Sequence, residues 1–181
     1  MTIGYINFHA PINQSTVQQL MATCGQLLKE GKNELYLMLS TPGGRVDSGV
    51  TLYNFLRAIP CELTTHNMGN IDSIGNAIFL AGETRKACTH STFMFHGVGF
   101  DIHQRFEEKN LREGLDSILA DQRRIGDIIA DRTRIPKTRA MQLFRDARTK
   151  NANDALKYGI VHEVSDLQIP TDSQIITLVG S

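Results

Sequence analysis

The 181-residue chain has no tryptophan, only three cysteines, and no excess of either charge. Each scarcity excludes something. Lys+Arg and Asp+Glu number 19 each, so the formal net charge is zero. No global field then draws the chain to nucleic acid or to an anionic membrane. Cys24, Cys61 and Cys88 are odd in number and far apart, without a CxxC pair, which supports neither a zinc site nor a disulfide framework. Free thiols in a reducing, cytoplasmic compartment are the simple reading. No apolar run approaches the roughly 18–20 residues that span a bilayer, and Met1 to Pro11 lacks the basic and apolar regions of a signal peptide. The six histidines (His9, His66, His90, His96, His103, His162) show no metal-ligand spacing, and no metal or organic cofactor is expected. Fifteen Gly and five Pro are ordinary numbers that do not suggest disorder. What remains is a globular protein long enough to bury one sizeable core.

The pattern along the chain alternates strand and helix. Ile3 to Phe8 reads as a strand, and Asn13 to Thr16 offer capping side chains for a helix through Val17, Leu20, Leu27 and Leu28 that Gly31 ends. Leu35 to Leu39 is a continuous apolar run, as in a strand covered on both faces. A second helix follows with Val50, Tyr53, Leu56 and Ile59 on one face, then a strand over Cys61 to Asn67, and a turn at Asn70 that becomes a small-residue helix to Leu80. Thr92 to Phe95 is a further strand, Asn153 to Tyr158 a short helix, and Ile160 to Val164 a last strand. This alternation predicts α/β layers on a mainly parallel sheet. Residues 101–145 hold 18 of the 38 charges around an apolar stripe of Leu111, Leu115, Ile118, Leu119, Ile125, Ile128 and Ile129. That stripe predicts a long amphipathic helix ending before Pro136, able to project toward another subunit. One domain is expected over 1–165. The tail, 166–181, is apolar only around Ile175 to Val179 and finds no place in the pattern.

Three segments could carry chemistry. Ser40-Thr41-Pro42-Gly43-Gly44-Arg45 joins a strand to a helix. Its paired glycines permit an unusual backbone, and N–H groups there favour an anion or a developing oxyanion. The segment lacks the GxxxxGK[ST] of a phosphate loop, and it reads equally well as an ordinary strand–helix turn. Ser73 stands where a strand hands over to a helix, outside any GxSxG pattern. Alone, it reads as a helix cap before it reads as a nucleophile. His96 ends an apolar strand and precedes Gly97-Val98-Gly99, placed to act as a base or simply as a half-buried histidine. Together the three supply donors, nucleophile and base on successive strand ends, where open α/β sheets put their sites.

In that order and spacing the chain resembles the proteolytic subunit of the Clp protease, within the Clp protease/crotonase superfamily. The segments that carry the resemblance are LYLMLSTPGGRVDSGVTLYNFLR, NIDSIGNAIFLAG, TFMFHGV and NANDALKYGIVHEV, within a match from about Ile3 to Val164. The resemblance implies that family's layered αβ repeats with a projecting handle helix over about 101–135. It implies a serine endopeptidase with Ser73 as nucleophile, His96 as base, and an oxyanion hole at Gly43, Gly44 and Ile74. Its substrate would be unfolded protein or peptide, cleaved in a chamber of two stacked heptameric rings, a tetradecamer, fed by an ATP-dependent unfoldase.

Three departures stand out. The family's triad acid lies twelve residues before the Gly of its Tyr-Gly pair, and counting back from Gly159 reaches Ala147. Asp146, one residue away, takes its place if the loop carries one extra residue; otherwise Ser73 and His96 act as a dyad. Asp72 stands before Ser73 where the family has a small apolar residue, free to raise the His96 pKa, to repel an oxyanion, or to point into solvent. The chain also begins at its first strand, without the family's axial pore loops, and has Met38 where an aromatic is frequent near the ATPase docking site. Both weaken the expectation of an unfoldase. Two other readings remain: a catalytically degenerate structural paralogue, and a crotonase-like enzyme acting on acyl-coenzyme A with Asp72 as its acid/base.

Overall fold

The computed structural model describes residues 2–99 and 107–180. The apolar run Leu35 to Leu39 forms the middle of β2 (Glu34–Thr41), with Leu35, Leu37, Met38 and Leu39 all buried. It is flanked in parallel by β1 (Ile3–His9) and β3 (Glu62–Asp72). Burial of both faces explains the lack of alternation in its sequence. Helix α1 (Gln14–Lys29) begins at a capping box in which the Thr16 N–H donates to Asn13 Oδ1 at 3.0 Å and the Asn13 N–H donates to Thr16 Oγ1 at 3.1 Å. Its stripe Val17, Leu20, Cys24 and Leu27 closes one side of the core. Helix α2 (Val46–Ala58) buries Leu52 and Leu56 against the same core.

Strand β3 is longer than the sequence suggests. Its first part, Thr64 to Asn67, pairs with β4 (Thr84–Ala87), and its last part, Asn70 to Asp72, pairs with β5 (Thr92–Phe95). Between them its register against β2 slips, from Leu39↔Asn67 to Thr41↔Ile71. The Asn67 side chain bridges the slip, accepting from the Gly69 N–H at 3.0 Å and donating to Thr92 O at 2.8 Å. The expected turn at Asn70 is therefore corrected to strand, because asparagine amides satisfy the irregular backbone and let pairing resume. The following helix shrinks to α3 (Gly75–Phe79), every residue of it buried.

Beyond Glu107, helix α4 (Glu108–Arg132) is followed by α5 (Lys137–Asp146), β6 (Arg148–Asn151), α6 (Ala152–Lys157), β7 (Glu163–Val164) and β8 (Ile175–Val179). The expected start of the long helix at residue 101 lies outside the described residues, and its end is four residues before Pro136. Ile125 and Ile129 anchor the C-terminal half in the core, while Leu111 and Leu115 near the start are more than half exposed. The sheet order is β6-β5-β3-β2-β1-β8, with β4 on β3 and β7 on β4; all pairs among the described residues are parallel except β5–β6. The unplaced tail thus supplies an edge strand, β8, parallel to β1. Strand β4 escaped the sequence reading because it carries Arg85 and Lys86. Arg85 is buried, yet its guanidinium donates to the carbonyls of Ile160, Gly82, Arg132 and Gly159, and burial pushes its pKa down to about 10, still cationic at neutral pH.

Candidate functional site

The glycine pair and the Ser73 turn are pressed together. Gly43 has φ 84, and a Cβ built on it would stand 2.7 Å from Ser73 Cβ and 2.8 Å from Asp72 O. Gly44 has φ 149, and a Cβ there would stand 2.2 Å from Ile12 O. Any side chain at either position would collide with backbone. Two hydrogen bonds fix the pair from outside, the Ile12 N–H to Gly43 O and the Arg45 N–H to Ile12 O, both 2.8 Å. Among the described residues, neither the Gly44 N–H nor the Ile74 N–H donates to a backbone acceptor in the loops and turns. Two donors are thus left at the start of α2 and at the start of α3, beside Ser73.

Ser73 has φ 56, a left-handed conformation that a non-glycine residue holds only when its surroundings impose it. Its N–H donates to Met94 O at 2.9 Å, and its carbonyl accepts from the Asn76 N–H at 3.1 Å and from Asn76 Nδ2 at 3.0 Å. Asn76 Nδ2 also donates to Met94 O at 2.9 Å and lies 3.4 Å from Ile71 O. Three carbonyl partners fix the orientation of that amide. Asn76 is 1 % exposed, and among the described residues its Oδ1 has no partner. A buried acceptor left unmet costs about 1–3 kcal/mol. The sequence reading did not single Asn76 out; its only signal was one amide among the small and apolar residues of α3.

His96 directly follows β5. Because β3 and β5 are parallel neighbours with Asp72 level with Met94, Ser73 and His96 leave the sheet at the same edge. His96 is exposed, Ser73 half-buried, and no direct hydrogen bond joins them among the described residues. Such contacts are commonly loose without substrate. Asp72 is half-buried and accepts from Asn70 Nδ2 at 2.7 Å, with both side chains on one face of β3. Asp146 ends α5, followed by Ala147 at φ 47. Its loop reaches the site: β6 pairs antiparallel with β5, Phe95 opposite Arg148, and a Cβ on Gly97 would stand 3.6 Å from Phe144 O. The Asp146 carboxylate itself is exposed and lies 3.7 Å from Arg148 Nε. The structure therefore gathers Gly43, Gly44, Ser73, Ile74 and His96 along one edge and leaves Asp146 turned to Arg148.

An open cleft of about 570 Å³ runs beside Gly44, lined by Ile12, Val46 and Val98 and by Ser117 and Asp121 of α4. Of the site residues singled out in the sequence, only Gly44 lines it; Ser73, Ile74 and His96 do not. A second cleft, of about 460 Å³, lies between α1 and α2. Among the described residues no group of three His, Cys, Asp or Glu is placed to hold a metal ion, and no helix is long and apolar enough to cross a membrane.

Comparison with known proteins places the chain in a family. A family model described as Clp protease matches residues 3–168. The ATP-dependent Clp protease proteolytic subunit of Borreliella afzelii is 27% identical over 157 residues, covering 84% of this chain and 78% of that one. Subunit 2 of the same protease from Chlamydia abortus is 23% identical over 163 residues, covering 85% and 74%. Among solved structures, an asparagine-to-aspartate mutant of ClpP1 from Listeria monocytogenes superposes with a TM-score of 0.77 at 22% identity, covering 91% of this chain and 92% of that one, which is a likeness of fold. With that family model matched over nearly its whole length, the chain belongs to the Clp protease family.

Proposed function

We propose that this protein is a serine endopeptidase that cleaves unfolded polypeptides in the cytoplasm by an acyl-enzyme route. Ser73 Oγ attacks the scissile carbonyl while His96 takes its proton. The N–H groups of Gly44 and Ile74, with the Gly43 turn shaping the approach, receive the oxyanion. His96 then returns the proton to the leaving amine, and water repeats the sequence to free Ser73. Asp146 serves as the third member once its carboxylate leaves Arg148 and turns to the imidazole. No metal or organic cofactor takes part in these steps.

The observation that carries the reading is the pairing of a serine at φ 56 with Gly43, where an added Cβ would stand 2.7 Å from Ser73 Cβ. Strain of this kind collects at reacting centres. A helix cap needs none of it, and the N-cap position of α3 is held by Ile74, not Ser73. Assembly into rings is supported by α4, whose projecting half exposes Leu111 and Leu115. Two stacked heptamers, joined through that helix and served by an ATP-dependent unfoldase, are the assembly proposed.

The test is hydrolysis of a fluorogenic peptide and of an unfolded protein by the wild type, Ser73→Ala and His96→Ala, with native mass spectrometry of each. Turnover by the wild type alone, in an oligomer common to all three, is expected. An intact oligomer without turnover favours a degenerate structural subunit, and binding of an acyl-coenzyme A instead favours crotonase-like chemistry.

A further inference from the structure

We infer that Asn76 is a positioning residue for the nucleophile: its side-chain amide locks the turn that aims the Ser73 hydroxyl. The inference rests on Ser73 being the nucleophile, and concerns how its geometry is held. A serine at φ 56 relaxes toward the right-handed region unless something external restrains it. Here the side-chain restraint is one amide, added to the backbone bonds of Ser73. Asn76 Nδ2 meets Ser73 O at 3.0 Å inside the strained turn and Met94 O at 2.9 Å on the neighbouring strand. Met94 O is also the acceptor of the Ser73 N–H. The same group therefore ties the nucleophile turn to β5, two residues before His96. This side chain thus reinforces the backbone tie from the Ser73 N–H to Met94 O that spaces nucleophile from base.

Space filling alone does not account for Asn76. Its neighbours along α3 are Gly75, Ala77, Ile78 and Phe79, all buried. An apolar residue of similar size would fill the same volume without leaving Oδ1 unpartnered in the core. The residue is 1 % exposed and cannot touch a substrate, so its effect passes through Ser73.

Three variants test this, each read by the second-order rate of Ser73 labelling with a small fluorophosphonate, by kcat and KM on a fluorogenic peptide, and by native mass and thermal denaturation. Asn76→Ala is expected to assemble, with labelling rate and kcat falling together by about 10- to 100-fold and KM held within about twofold. Asn76→Ser, similar in volume to alanine but able to donate to the Ser73 carbonyl one turn back, is expected to recover at least about fivefold of that loss. Asn76→Asp keeps the shape and leaves at most one donor, a carboxylic O–H, for the carbonyls that Nδ2 serves. In an assembled ring at about pH 8 it is expected to label at least about tenfold slower than the wild type. Labelling of Asn76→Ala or Asn76→Asp within about twofold of the wild type would overturn the inference, as would equal rates for Asn76→Ala and Asn76→Ser. A wild type that does not label at Ser73 overturns the nucleophile reading and this inference together.

Discussion

The Ser73 turn and the Asp146 loop meet at the same edge of the sheet but are held differently. Around Ser73 every restraint is backbone or buried: Gly43 packed on its Cβ, Ile12 clamping the glycine pair, and Asn76 bridging three carbonyls. Around Asp146 the restraints are few and exposed. The carboxylate meets Arg148 at 3.7 Å, both side chains largely in solvent, and the next residue, Ala147, sits at φ 47 without a glycine's freedom. Exposed ion pairs contribute about 0–1 kcal/mol. On the proposed reading, the donors and the nucleophile are thus preorganised, and the acid is adjustable. Since the oxyanion donors and the positioned nucleophile supply much of such catalysis, the rigid half is where sequence change costs most.

The largest effect expected is at the rigid half. Gly44→Ala places a Cβ 2.2 Å from a carbonyl that is itself fixed by the Arg45 N–H. It should lower folding stability by about 3 kcal/mol and peptidase activity by more than about 100-fold, measured by denaturant unfolding and peptide hydrolysis. The adjustable half should respond far less. Asp146→Asn is expected to cut kcat/KM by only about tenfold, against the roughly 10⁴-fold seen where a triad acid is locked on its histidine. Arg148→Gln should raise activity by releasing the Asp146 carboxylate. A 10⁴-fold loss in Asp146→Asn would show the two halves to be equally preorganised. Smaller still, Ala147→Gly relieves a left-handed alanine and should stabilise the fold by about 0.5–1 kcal/mol in thermal unfolding.

The smallest effect concerns a histidine away from the site. His66 accepts the Tyr36 hydroxyl at Nδ1, 2.6 Å, and its Nε2–H donates to Ser165 O at 2.9 Å, the pattern of a neutral imidazole. Burial pushes its pKa below the ordinary value. The unfolded chain therefore takes up a proton near pH ~6.5 that the folded chain refuses. Its contribution to stability is complete above that pH, falls as the pH drops through it, and levels off below the depressed folded value. His66→Asn should flatten this part of the melting temperature profile between about pH 5 and 7; an unchanged slope would remove His66 as its source.

How legible the molecule was follows the same divide. β1, β2, β5, α1 and α2 were readable because an apolar run or a helical stripe fixes each of them. The glycine pair, Ser73 and His96 were readable because their order on successive strand ends is itself the signal. What escaped was held by polar atoms. β4 went unassigned because its buried Arg85 is satisfied mostly by carbonyls distant in sequence. β6, Arg148 to Asn151, has no apolar residue and exists through pairing with β5. β8 could be read as apolar but not placed, since its partner β1 lies at the other end of the chain. Asn76 was hidden for the same reason: its worth lies in three carbonyls brought together by the fold.

The central claim, that the Ser73 turn holds an activated nucleophile, is tested most directly by fluorophosphonate labelling read by intact mass and peptide mapping, on the assembled wild type and on Ser73→Ala. One adduct per chain, mapped to Ser73 and lost in Ser73→Ala, is the result the account predicts. A folded, assembled wild type that takes up no label at Ser73 would contradict it.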